Sequence, residues 1–379
     1  MKVFLRRALK IILAIILAFF LMLAAGFFAV RFGWTNTAGE ENSDSSEYNQ
    51  EAKKDQLLTS QIEAPITSNL PNNLSIYGAH EIANRCKLAV AVRYNDYNAA
   101  AILRAYQKSR SEALLDRMLL ALKLRLPNRD DFGRELKVCE NGIGDAPSFD
   151  DLTLAIQNPQ AKNLFAWQSG EPWQIIKEAV IKDQQAINDA SLKAGVQPRL
   201  LLSVAIVEQL RLYYTQRELF EKVFKPLKIL ANANKMAWGV MSIKEKMAIS
   251  TEENLKDSQS DFYPGNSYRA LLDFPASADI AKERYSRLTN EHDHFYSYLY
   301  GALIIKELEA QWLKAGYHID YRPEIIATLF NIGFNHSVPK ENPVVGGSTI
   351  EIEGEKYFFG SLAYEFYYSG ELSEEFPFD

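Results

Sequence analysis

The first feature of this chain that could do chemistry is one carboxylate at the end of an apolar run. Residues 200–207, LLLSVAIV, are interrupted only by Ser203, and Glu208 follows. On a helix, Glu208 shares a face with Leu201, Val204, Ala205 and Leu212, its neighbours at steps of three, four and seven. A carboxylate on such a face has lost part of its hydration, which penalises the charged form and raises the pKa. That costs stability but suits an acid working near neutral pH. The structural alternative is a helix carboxylate paired with a buried arginine or capping a neighbouring turn.

Two more segments follow in order. WGVMSIKEKMA spans residues 238–248, and IIATLFNIGFN spans residues 325–335. With Glu208 they make a series: an acid closing a helix, a Gly-led segment, and a Phe-Asn pair on a later helix. Core packing is the plain reading of Met241 and Ile243, and Asn331 could simply satisfy a buried backbone group. Trp238 and Tyr213 could stack on sugar rings, although a core role is the simpler one for each.

The order and spacing of these segments resemble the lysozyme-like domain of lytic transglycosylases, enzymes that cleave the glycan strands of peptidoglycan. The resemblance covers roughly residues 170–340. It implies a mainly α, lysozyme-like helical domain with a sugar-binding cleft. Glu208 matches the catalytic acid and base of that family. Gly239, Val240, Met241, Ser242 and Ile243 match its cleft segment, and Phe330, Asn331 and Gly333 match its third motif. The chain departs from the family pattern at Gln209, where Ser is usual, at Ser242, where Gln is usual, and at Phe330, where Tyr is usual.

By the resemblance, one glutamate suffices. It protonates the leaving glycosidic oxygen, then takes a proton from the sugar's own 6-hydroxyl, and a 1,6-anhydro ring results. The substrate's N-acetyl group stands in for a second carboxylate. Glu218 and Glu221 lie ten and thirteen residues beyond Glu208 and could turn back toward a cleft. A water-using muramidase and an inactive wall-binding or scaffold module are the alternatives on the same fold.

No metal or organic cofactor is expected. EHDHF places His292 and His294 beside two acids, but alternate helical positions face different ways. HEIAN at His80 begins like a zinc-protease motif, yet Asn84 stands where the second His is needed. There is no Gly-x-Ser-x-Gly elbow and no phosphate-binding loop.

The elements that must position these residues are helical. WQIIKEAVIKDQQAINDASLKAG is amphipathic and stops at Gly195, and Pro198 suits the first turn of the helix bearing Glu208. Near the C-terminus, STIEIEGEKYFFG alternates around Gly354 and predicts a small β-hairpin. Upstream, Ile102, Tyr106, Leu114, Leu115, Met118, Leu119 and Leu122 recur at helical spacing until Pro127. Residues 76–150 read as a helical accessory subdomain and 151–379 as the lysozyme-like domain.

The N-terminus sets the expected topology. Lys2, Arg6, Arg7 and Lys10 precede an uncharged apolar run over residues 11–30, the length of a membrane-crossing helix. The basic flank puts the N-terminus in the cytoplasm and residues beyond 34 outside it. A cleaved signal peptide is the alternative, although its apolar region is usually shorter. Residues 1–34 therefore read as a cytoplasmic tip and transmembrane anchor, and the polar stretch 35–75 as a flexible linker.

The formal charge is −6; with Lys2, Arg6, Arg7, Lys10 and Arg31 set aside, the exported remainder carries −11. Such a surface is a poor match for nucleic acid. The expected partners are peptidoglycan strands and, through the anchor, the membrane, with protein partners left open. Cys86 and Cys139 could form a disulfide in an exported chain or remain two buried thiols; spacing does not decide.

Overall fold

A computed structural model describes residues 10, 12, 17–25, 39–63, 73–142, 146–216 and 239–378. The protein is mainly α-helical. After strand β1 (Glu40–Glu41) come helices α1 (Ser45–Glu63), α2 (Asn73–Tyr94), α3 (Asp96–Ser109), α4 (Glu112–Lys123), α5 (Arg129–Glu140) and α6 (Phe149–Ala155). Helices α7 (Glu171–Lys182), α8 (Gln184–Ala194), α9 (Pro198–Arg211), α10 (Glu245–Asn254), α11 (Ile280–Thr289), α12 (Phe295–Lys314) and α13 (Pro323–Ile332) follow. Strands β2 (Gly346–Gly347), β3 (Thr349–Ile352) and β4 (Glu355–Phe358) lead into α14 (Phe359–Tyr368).

Local chemistry accounts for many of the boundaries. Asn95 caps α3 by accepting from the Asn98 amide at 2.8 Å. The continuous helical pattern expected around residue 110 breaks into two helices. Arg110 adopts a left-handed conformation (φ 54°), and Ser111 then caps α4 through the Leu114 amide. Gly195 closes α8 at φ 62° and Pro198 opens α9, as expected. The predicted hairpin is present: β3 and β4 pair antiparallel, with Ile350 opposite Tyr357. Glu353 and Gly354, both at positive φ, form its turn.

Helix α9 is the centre of the fold. Its apolar residues are buried all round, and it packs against α8, α13 and α14. Trp167 sits edge-on to Trp173 at 4.7 Å and donates its indole N–H to Glu365 Oε1 at 2.7 Å. Arg199 is fully enclosed. Its Nε donates to the Tyr367 carbonyl at 2.8 Å and its Nη1 to that of Phe376 at 2.9 Å, so this charge closes the C-terminal turn onto α9.

The N-terminal helices share contacts with this body. Arg125, in the turn just past α4, pairs with Glu365 on α14 and lies over the Tyr357 ring. Cys86 on α2 and Cys139 on α5 are joined as a disulfide, which resolves the alternative left open by their spacing.

The stretch expected to be a flexible linker needs correction. Residues 40–41 form β1, antiparallel to β2, and residues 45–63 form α1. Tyr48 and Ala52, four apart, put one face of α1 into the core, where Tyr48 meets the Tyr364 ring at 4.8 Å. Charges finish the docking: Lys123 with Glu47, Lys54 with Asp116, Arg117 with Asp55, and Arg129 with Asp44. Of the rest of the expected linker, residues 35–38 and 64–72 lie outside the described residues, and 73–75 begin α2.

Among the described residues, no helix is long and apolar enough to cross a membrane. The expected anchor falls on the described residues only at 12 and 17–25. These are helical, with Leu17, Phe19, Phe20, Leu21 and Met22 exposed.

Candidate functional site

Glu208 sits in the last turn of α9 and is 4 % exposed, as its apolar face requires. Immediately beyond Arg211 the backbone widens into a π-helical turn, Leu212–Gln216. Insertions of this kind recur at functional sites because they re-aim the side chains that follow.

The chain returns to Glu208 through residues 239–244. Gln209 donates its side-chain amide to the Val240 carbonyl at 2.6 Å and so ties this segment to the helix end. Gly239 opens a tight turn, closed by the Ser242 amide donating to the Gly239 carbonyl at 3.1 Å. Only glycine fits there. Its φ is +69°, and a Cβ would stand 2.1 Å from the Leu288 carbonyl oxygen and 2.6 Å from Ser297 Oγ.

The turn places Ser242 (φ 50°) and Lys244 beside Glu208. The Ser242 hydroxyl is buried without a well-aligned hydrogen-bond partner, and it adds only a small downward pull on the Glu208 pKa.

The dominant partner of Glu208 is Arg211, one turn along the same helix. Its Nε and Nη2 donate to Glu208 Oε2 at 3.0 and 2.5 Å. Burial pushes the Glu208 carboxyl up; Arg211, and more weakly Lys244, pull it down. Burial prevails, and the net shift is upward.

A raised carboxyl is not unique to this position. Burial also raises Glu307 and Glu365. Glu365 is saturated by Arg125 and Trp167, and Glu307 accepts from Asn254 at 3.2 Å. Glu208 differs in standing where a helix end, a π-helical turn and a glycine-led turn meet.

The other residues expected to shape a cleft divide into two groups. Gly239 is exposed and Val240 half-buried, so both can face a ligand. Met241, Ile243 and Phe330 are core side chains, with Met241 packed so closely on Gly301 that a Cβ there would lie 2.6 Å from Met241 Cε. Their expected substrate-binding role is therefore corrected to packing; these segments can meet a ligand only through backbone or neighbouring residues.

Helix α13, which carries Phe330 and Asn331, does pack on α9. Asn331 Oδ1 accepts from the Ser348 amide at 2.8 Å and its hydroxyl at 2.9 Å, holding the loop before the hairpin. Gly333 ends the helix at φ 86°. Tyr213 is half-buried and packs edge-on against Tyr214, 5.1 Å away. Trp238, Glu218 and Glu221 lie outside the described residues.

The site residues missed in sequence are Arg211 and Lys244. A signal for Arg211 existed, since a basic residue three positions after an acid on a helix is placed to pair with it. Nearby, the hairpin turn approaches Tyr214, whose hydroxyl pKa is raised by burial and by Glu353.

His294 Nδ1 lies 2.6 Å from Asp183 Oδ2, which also accepts from the Tyr298 hydroxyl at 3.0 Å. His80 Nδ1 lies 3.1 Å from Glu112 Oε2. No group of three or more His, Cys, Asp or Glu side chains placed to hold a metal occurs among the described residues. A cavity of about 230 Å³ lies elsewhere, between the segment after β1, α4 and the start of α14, lined by Asp44, Tyr48, Arg125, Lys356 and Glu365.

Comparison with protein-family models, with curated proteins and with solved structures returned no match.

Proposed function

We propose that this protein is a glycan-cleaving enzyme of the lysozyme-like class, with Glu208 as its general acid and base. The particular activity proposed is that of a peptidoglycan lytic transglycosylase, cutting the β-1,4 bond between N-acetylmuramic acid and N-acetylglucosamine. The observation that carries the reading is the meeting of three segments distant in sequence. Gln209 binds the 239–244 turn to the end of α9 beside Glu208, and α13 packs on the same helix.

The chemistry requires an acid that holds its proton near neutral pH, and the upward shift of Glu208 by burial supports that. Protonated Glu208 gives its proton to the glycosidic oxygen as the C–O bond breaks. The carboxylate then takes the proton of the sugar's 6-hydroxyl as that oxygen closes on the anomeric carbon. The apolar run over residues 11–30, behind a basic flank, supports a single-pass membrane protein with its N-terminus in the cytoplasm and its enzymatic body outside.

One observation favours a second reading. The two-donor bond from Arg211 to Glu208 is also what a purely structural carboxylate would make. On that reading the protein binds cell wall without cutting it.

The full chain in detergent and its Glu208→Gln variant, incubated with purified peptidoglycan, separate these readings by mass spectrometry of what is released. Fragments with 1,6-anhydro ends, absent with the variant, are expected. Hydrated reducing ends lost in the variant would make it a muramidase. Wall binding with no release by either protein would establish the non-catalytic reading.

A further inference from the structure

Arg211 engages Glu208 unevenly. Two of its donor nitrogens, Nε and Nη2, reach the same oxygen, Oε2. The two side chains are almost wholly enclosed, 5 % exposed for Glu208 and 13 % for Arg211. A guanidinium remains charged at any pH of interest and takes no part in proton transfer itself. An oxygen whose lone pairs face two N–H donors is the poorer site for a proton, so a proton on this carboxyl belongs on Oε1. The bond to Arg211 then survives protonation, because the neutral acid still accepts through Oε2 as a carbonyl-type oxygen.

We propose that Arg211 is the positioning residue of this site: it commits Glu208 Oε2 to a fixed acceptor role and leaves Oε1 as the atom that gives and retakes the proton. The inference rests on the reading of Glu208 as acid and base. In the first step the Oε1 proton passes to the leaving glycosidic oxygen as its bond to the anomeric carbon breaks. In the second, Oε1 accepts the proton of the incoming hydroxyl as that oxygen bonds to the anomeric carbon. The proton is restored and nothing is oxidised or reduced.

Arg211 also opposes burial, which keeps the carboxyl from holding its proton too tightly for the second step. Among the described residues, the groups that bear on Glu208 are Arg211 from its own helix, and Lys244 and Ser242 from the 239–244 turn. Lys244 supplies charge without a fork, so it cannot set a rotamer. The Leu212 amide donates to the Gln209 and Glu208 carbonyls, so the helical backbone runs on past Arg211 into the π-helical turn and keeps Arg211 one turn from Glu208.

The test uses the full chain in detergent acting on purified peptidoglycan. The dependence of kcat and KM on pH is measured for the wild type, Arg211→Met and Arg211→Lys, with thermal unfolding of each. Arg211→Met is expected to lower kcat by about 10²-fold, the cost of a misplaced reacting group, with KM unchanged. It should also move the alkaline limb of the profile to higher pH. Arg211→Lys keeps the charge and loses the fork; it should restore the limb but not the rate.

Unchanged kcat and pH profile in Arg211→Met would overturn the proposal while leaving Glu208 as the acid. So would a fall in melting temperature as the sole effect. A wild type that releases nothing would overturn the reading of Glu208 and this inference with it.

Discussion

Glu51 makes the folded body less stable as pH rises, and Glu51→Gln should remove that loss. The side chain lies on α1, turned toward α4, and its Oε1 is buried with no hydrogen-bond partner. Burial is the largest influence on its carboxyl. Asp116 and Asp55 add to the upward push, Lys54 and Arg117 oppose it, and the pKa rises from 4.5 to about 7. Lys54 does not rescue it, because its ammonium is spent on Asp116 and Glu140.

The folded state therefore holds this proton more tightly than the unfolded chain. Its stabilising effect is complete below the unfolded pKa near 4.5 and is lost as pH rises through about 7. At about 1.4 kcal/mol per pH unit, the whole loss is about 3 kcal/mol, reduced to the extent that water reaches this half-buried group. Glutamine mimics the protonated acid at every pH.

Urea unfolding of wild type and variant at pH 5 and pH 8 isolates the effect, since other titrating groups cancel in the difference. An advantage for Glu51→Gln of under about 1 kcal/mol is expected at pH 5, approaching about 3 kcal/mol at pH 8. A difference that does not change with pH would refute the reasoning. A variant less stable than wild type at pH 8 would mean that Glu51 is ionised in the fold and paired.

Gly239→Ala should cost about 3 kcal/mol or more, because the left-handed backbone penalises a Cβ and the Leu288 carbonyl has no room for one. It should also abolish glycan release, since the displaced turn is the one beside Glu208; wild-type melting behaviour would count against this account. Cys86→Ser should destabilise the protein by about 4 kcal/mol, the loop-closure value for cysteines 53 residues apart. Chemical denaturation with and without reductant checks this, and an unchanged midpoint would show the α2–α5 pairing to be redundant.

How much of this was legible in sequence depends on the range of the interaction. Helix and hairpin patterns are local, so Gly195, Pro198 and the Glu353–Gly354 turn were readable. The burial of Glu208 followed from its apolar neighbours on one helix face. The linker expected before residue 76 failed for the opposite reason. Its polar composition hides a helix whose anchors lie far along the chain: Glu40 pairs with Gly347, and Asn49 meets Arg322 at 2.7 Å. Composition reports what a segment can bury by itself, not what a distant segment supplies.

By itself the sequence determined a mainly helical chain, an acid on a buried helix face and a glycine-led segment able to return to it, since periodicity and turn chemistry act over a few residues. Only the tertiary structure decided that Met241, Ile243 and Phe330 serve the core, that Asn331 holds the loop at Ser348, and that the two cysteines meet. It alone decided that Nε and Nη2 of Arg211 fall on one oxygen of Glu208. Each of these depends on where one side chain lies relative to atoms elsewhere, and a one-dimensional pattern carries no such distances.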